Sequence, residues 1–174
     1  MNPLFQAADL TAESVADADA EVFQPLMERC EKFYRLVYGR PACPDEAKLL
    51  LLERPAGLPP EQGHLIALRD TGGALVGILE GIRDFPAPGE WYLGLMLLDP
   101  AVRGQRRGEA VIRAYEAWMR GQGARLLRLA VSEPNPAAHR FWLSVGYREE
   151  QWVGPVRIGE LTYRVLRMSK PLES

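Results

Sequence analysis

The chain has 174 residues, 47% of them hydrophobic and 25% charged, with 21 basic against 23 acidic side chains and a net charge of -2. That is the length and composition of one soluble domain able to bury a continuous core, and the charge balance excludes a polyanion-binding surface spread over the whole molecule. Two cysteines (Cys30, Cys43) and two histidines (His64, His139) are too few and too scattered for a disulfide framework or a zinc site.

Reduced thiols and a cytoplasmic location are the expectation. Residues Met1 to Leu10 lack the basic segment and apolar run of a signal peptide, and no apolar stretch approaches the ~20 residues that span a bilayer. No membrane, nucleic-acid or metal partner is expected.

A short apolar run, Pro3 to Ala8, reads as an opening strand. From Thr11 the spacing of Val15, Val22, Phe23, Leu26, Met27, Phe33 and Leu36 predicts two helices in succession, with Thr11 or Ser14 as caps, ended by Gly39 and Pro41. Pro44-Asp45-Glu46 opens a further helix carrying Leu49 to Leu52, and a Pro/Gly-rich loop runs from Pro55 to Gly63. Strands follow at His64–Arg69 and Ala74–Ile82 around the turn Asp70-Thr71-Gly72-Gly73, and at Trp91–Leu98 after the turn Asp84–Gly89. A helix from about Gln105 to Gln122 buries Val111, Tyr115, Trp118 and Met119 and stops at Gly123. A strand (Leu126–Val131), a short helix (Pro136–Ser144) closed by Gly146, and two last strands (Tyr147–Pro155, Leu161–Met168) complete one mixed α/β domain over 1–174.

Chemistry concentrates between Trp91 and Tyr147. Leu93 to Leu98 leads through Asp99-Pro100 into Arg103-Gly104-Gln105-Arg106-Arg107-Gly108 and then a helix. Strand, glycine-bearing basic loop and helix can hold phosphate, because unpaired N–H groups and the helix dipole favour an anion and glycine lets the backbone come close; the alternative for an Arg-rich turn is a solvated surface. The loop is neither a Walker loop nor a dinucleotide fingerprint. No Gly-x-Ser-x-Gly elbow is present either.

Downstream, Asn135-Pro136-Ala137-Ala138-His139-Arg140-Phe141-Trp142-Leu143-Ser144-Val145-Gly146-Tyr147 resembles the GNAT acetyltransferase pattern Asn-x-x-Ala-x-x-Phe-Tyr-x-x-x-Gly-Phe, at that family's spacing from the phosphate loop. The resemblance runs from about Leu65 to Met168; residues 1–60 correspond to the variable acceptor-side region, and 93–147 to the acetyl-CoA-binding core.

The resemblance implies a curved, mainly antiparallel sheet of about seven strands with helices on both faces. The fourth and fifth strands, at Leu93–Leu98 and Leu126–Val131, would splay apart to admit the pantetheine arm. It implies that main-chain groups of Met96, Leu97 and Leu98 pair with pantetheine, and that an N–H near Met96 polarises the thioester. Arg103, Gly104, Gln105, Arg106, Arg107, Gly108 and Glu109 would cradle the pyrophosphate. Asn135 would reach from the opposite side, and Ala138, Phe141 and Trp142 would line the wall near the sulfur.

Two positions depart from the family. With Arg103 starting the loop motif, Arg106 stands where glycine is usual, at ~1 kcal/mol if φ is positive there; a second register starts at Gln105 and places Gly108 and Ala110. Trp142 replaces a tyrosine that would protonate the leaving thiolate, and indole is a donor that cannot serve as that acid. Tyr147 and Tyr163 are substitutes that otherwise pack as core or rim.

A base must take the amine proton. Glu80, Asp84 and Glu90 gather near the turn before the third strand, as solvated turn residues or as that base, and Tyr92 stands where some relatives carry a catalytic glutamate. Glu90 and Tyr92 are the catalytic candidates. His139 falls on an exposed helix side, and His64 at a strand start where it can pair with backbone. Phe33 reads as core by its spacing, and Tyr34 and Tyr38 share a face as core or acceptor wall.

The expected activity is acetyl transfer from acetyl-CoA to a primary amine of a small molecule by direct attack. A non-catalytic CoA-binding role and acetylation of a protein or peptide amine are the alternatives. The edges of the last two strands could pair in a homodimer.

Overall fold

Eight strands join in one sheet in the order β1-β2-β3-β4-β5-β6-β8-β7, in the computed structural model of residues 2–173. They are β1 (Phe5–Ala7), β2 (Leu10–Val15), β3 (Gly63–Arg69), β4 (Leu75–Ile82), β5 (Glu90–Leu98), β6 (Leu126–Ser132), β7 (Arg148–Ile158) and β8 (Leu161–Pro171). Every neighbouring pair is antiparallel except β5 with β6. The helices are α1 (Gln24–Arg29), α2 (Glu31–Tyr38), α3 (Glu46–Leu52), α4 (Arg107–Gly121) and α5 (Pro136–Ser144).

The expected helix from Thr11 is wrong over its first turn. Residues Leu10–Val15 form β2, paired with β1 and β3, and this is the strand that raises the count from seven to eight. Leu10 and Ala12 alternate into the core. Thr11 and Ser14 therefore cap nothing, and a 3-10 turn at Asp17–Phe23 leads into α1. The splaying strands accordingly become the fifth and sixth. The last strands also extend further than read, and β8 lies between β6 and β7, so at that end of the sheet only β7 offers an edge.

Alternation along β3 sends Leu65 and Ala67 to one face and Ile66 and Leu68 to the other. The first face is covered by α1, α2 and α3 through Leu26, Met27, Tyr34 and Leu50; the second by α4 through Val111, Ile112, Tyr115 and Met119. Trp118 lies at the rim of this second core and is only partly buried.

One irregularity positions the site. The β4–β5 register shifts between Glu80 and Gly81, so that Glu80 pairs with Leu95, Gly81 with Leu93, and Gly94 is the extra residue. Before this bulge Trp91 and Leu93 pack on the α4 face; after it Leu95 and Leu97 pack under α1–α3. Gly94 is a glycine for a local reason: a Cβ there would collide with the Glu80 carboxylate.

Candidate functional site

β5 and β6 pair from Glu90↔Leu126 to Leu93↔Leu129 and then part, although both strands continue, to Leu98 and Ser132. This is the expected splay. On its other side β5 stays paired with β4, and Asp99 donates its N–H to the Val76 carbonyl at 2.8 Å. Antiparallel alternation then turns the peptide groups of Met96 and Leu98 away from β4 and into the gap.

A cavity of about 1100 Å³ begins at this gap. Tyr92, Met96, Leu97, Leu98 and Arg103 line it from the β5 side, and Asn135, Ala138, Phe141 and Trp142 from the α5 side. Asn135 caps α5, its Oδ1 accepting from the Ala138 N–H at 3.2 Å, and it lines the cavity. Trp142 is 8% exposed, wedged edge-on between Phe141 and Tyr147 with ring centroids 5.0 Å from each.

The loop before α4 is built to present amides. Gly104, Gln105 and Arg106 all have left-handed backbone, with φ of 95°, 52° and 56°. Arg106 thus carries the positive φ that its motif position implied. The N–H groups of Gln105, Arg106, Gly108 and Glu109 have no protein acceptor among the described residues, and all four sit at the start of a 15-residue helix. At Gly108 an added Cβ would stand 3.4 Å from Phe141 and 3.8 Å from the Met96 methyl, so loop, gap and α5 meet there.

The arginine side chains are less uniformly disposed. Arg103 folds back, its Nε donating to the Leu98 carbonyl at 3.0 Å and its Nη2 lying 3.9 Å from the Cys30 sulfur. Arg107 turns away to a bidentate pair with Asp9 in the β1–β2 turn. Glu109 pairs with Arg113 one turn along α4. What this loop leaves unpartnered is therefore backbone N–H groups, while Arg103, Arg107 and Glu109 each hold a protein partner.

The far end of the cavity departs further from expectation. Tyr92 lines it, its phenol raised by burial, but Glu90 does not, being held by Arg128 at 2.8 Å. The three carboxylates read as a cluster are separate. Asp84 accepts from the Gly89 N–H at 2.7 Å and organises the turn. Glu80 is a mid-strand residue, 4% exposed, with Oε1 accepting from Arg54 Nε at 2.8 Å. Burial raises the Glu80 carboxyl above the usual carboxylate range, against the opposing pull of Arg54.

Phe33, read as core, lines the cavity instead, and of the two readings left open for Tyr34 the structure takes the core one. Tyr34 is buried under α2, whereas Phe33 is half-buried and lines the cavity with Tyr38. Tyr38 donates its hydroxyl to Glu53 at 3.2 Å, and burial raises the Glu53 carboxyl as well. Tyr147 and Tyr163 are spoken for: one donates to Glu116 at 2.9 Å, the other to the Val37 carbonyl at 2.6 Å. His139 pairs with Glu149 on the surface, and His64 meets the Tyr115 hydroxyl at 2.6 Å, not backbone. Sequence reasoning missed Glu53 and Arg54 after α3, and Arg167 on β8, all of which line the cavity.

Both cysteines are free thiols. Among the described residues no helix is long and apolar enough to cross a membrane, and no His/Cys/Asp/Glu group is arranged to hold a metal ion.

The acetyltransferase (GNAT) family model matches residues 23–147. Among solved structures, an acetyltransferase from Thermus thermophilus superposes with a TM-score of 0.73 at 21% identity, covering 93% of this chain and 96% of its own. Spermidine N-acetyltransferase from Vibrio cholerae, in complex with CoA and spermine, gives 0.71 at 18% identity over 95% and 96%. The ribosomal-protein-S18-alanine N-acetyltransferase from Escherichia coli gives 0.70 at 17% over 95% of each chain. No curated protein matches the sequence.

Proposed function

From the premise that the chain belongs to the acetyltransferase (GNAT) family, we propose that it transfers an acetyl group from acetyl-CoA to a primary amine of a small molecule by direct attack. The observation that carries this reading is one continuous cavity of about 1100 Å³. It runs from the free edge of β5 to an aromatic end holding two carboxylates, the buried Glu80 and the exposed Glu53.

The residues present fit acetyl-CoA. The Met96 peptide group and the Leu98 N–H turn toward the gap, as an added strand requires, while the Leu98 carbonyl already accepts from Arg103 Nε. Four free amides at the α4 start suit a pyrophosphate, and Gly108 leaves room beside Phe141. When bound, acetyl-CoA supplies an activated thioester. Met96 N–H would hold the carbonyl oxygen as charge develops, the contribution that commonly dominates acyl transfer. As the amine nitrogen bonds to the acetyl carbon and the carbon–sulfur bond breaks, the proton lost by nitrogen passes to Glu80, directly or through one water. Glu80 is preferred to the sequence candidates Glu90 and Tyr92. Glu90 is tied to Arg128 outside the cavity, and the raised phenol of Tyr92 is no base near neutrality. Trp142 supplies no proton, which a thiol of pKa about 8.5 tolerates as a leaving group.

The test is thiol release from acetyl-CoA against a panel of primary amines, with N-acetyl product identified by mass spectrometry. Amine-dependent release supports the reading. Tight acetyl-CoA binding with no turnover on small amines or peptides would point instead to a non-catalytic CoA-binding role.

A further inference from the structure

Arginines that face the cavity can be followed to their partners. Arg54 already pairs with two carboxylates, through Nε with Glu80 at 2.8 Å and through Nη1 with Asp17 at 2.7 Å, leaving only its buried Nη2 without a partner, and Arg103 donates to the Leu98 carbonyl. Arg167 on β8 differs. It lines the cavity, is exposed, and has no carboxylate partner among the described residues. Its neighbour Arg128, one strand away, is saturated by Glu90 and Glu150. Arg157 also lines the cavity, but from the β7–β8 hairpin tip, opposite Thr162 and five residues along β8 from Arg167.

Position gives the free guanidinium a direction. Arg167 lies opposite Ala130 in the β6–β8 register, and Ala130 is small and exposed at the step where β6 leaves β5. Arg167 and Ala130 share one face of the sheet beside the gap, and Arg167 lines the cavity together with Tyr92, whose phenol feels its charge. Phe33 and Phe85 supply apolar wall nearby.

An ammonium entering this space meets Glu80; a second cation on the same molecule that reached Arg167 would be repelled. A planar anion is what an unpaired arginine fork accepts in two hydrogen bonds. We infer that the acceptor is an amino-carboxylate, an α-amino acid with an apolar side chain, whose carboxylate is bound by Arg167 while its amine faces Glu80. This deepens the acetyl-transfer reading and rests on it for the direction of the amine. A polyamine such as the spermine bound by the Vibrio cholerae relative would be a poor fit.

The experiment compares phenylalanine with phenylalaninamide and phenethylamine, which keep the amine and ring but lose the carboxylate. Kinetics are read with acetyl-CoA, and acceptor binding with CoA by calorimetry. Phenylalanine is expected to show a KM or Kd lower by about tenfold, the size of a charge-assisted pair at a partly exposed site. Arg167→Gln should abolish that preference, whereas Arg148→Gln, outside the cavity, should keep it. Equal or better use of the uncharged amines, or an unchanged preference in Arg167→Gln, would overturn the inference. If no amine is acetylated but phenylalanine still binds through Arg167, the carboxylate site stands and the enzymatic reading falls. If no acceptor binds at all, the inference falls too.

Discussion

The Glu80 carboxylate lies over Gly94, in the space that a side chain at that position would need. The β-bulge, the absence of a side chain at residue 94 and the Arg54–Glu80 pair at 2.8 Å therefore form one unit beside the Met96 peptide. Gly94→Ala is expected to push the carboxylate off Arg54. Stability should fall by about 1–3 kcal/mol, the usual cost of overpacking. Acetylation should fall with it, while acetyl-CoA still binds. Chemical denaturation beside steady-state kinetics would show both.

The pH dependence of kcat should report Glu80. Burial raises its carboxyl above the usual range, so the base form appears later on the pH scale than for an exposed glutamate. The rate should rise with pH through that shifted value. Glu80→Gln should remove this limb and lower kcat by about 10²-fold or more, the ordinary contribution of a positioned base. Circular dichroism of the variant would separate lost chemistry from lost fold.

Arg106 holds φ of 56° at the N-cap of α4, where no side-chain cap compensates. Arg106→Gly should stabilise the protein by ~1 kcal/mol by removing the Cβ penalty. Thermal unfolding of the two proteins would measure it, and loss of stability would mean that the guanidinium has a structural partner in solution.

His64, half-buried on β3 against Tyr115 of α4, has its pKa lowered to about 4, chiefly by desolvation, with the charge of Arg54 adding to it. Between that value and the ordinary 6.5 the unfolded chain binds more protons, so this group's contribution is complete above pH 6.5 and is lost as pH falls from there through 4. The size is on the order of 3 kcal/mol. Urea titrations at pH 7 and 4.5 should differ more for the wild type than for His64→Gln.

How much of this was legible in the sequence depended on whether the signal was local. Gly123 and Gly146, both at positive φ, ended helices where the periodicity placed them, and Asn135-Pro136 opened α5 with its expected cap. β2 was not legible, because its core-facing residues are only Leu10 and Ala12, while Thr11 and Ser14 resemble caps. The partners of Arg107 and Glu80 come from Asp9 and Arg54, distant in sequence, and no local pattern announces either. One clue to the site was available. Glu80 interrupts an otherwise apolar strand at Leu75–Ile82, and a carboxylate buried mid-strand needs a reason. Phe33 was read as core and Tyr34 left open, although Tyr34 is the buried one, because the narrow boundary between core and cavity is set by the sheet beneath α2.

The central claim is that the gap between β5 and β6 and the amides before α4 form an acetyl-CoA site. Calorimetric titration of acetyl-CoA into the wild type and Gly108→Trp tests it most directly, since a large side chain at residue 108 must displace Phe141 and fill the meeting point of loop and gap. The account predicts binding at roughly micromolar Kd, weakened about a hundredfold by the substitution in a protein that remains folded. A folded wild type that does not bind acetyl-CoA, or a Gly108→Trp protein that binds it equally well, would contradict the account.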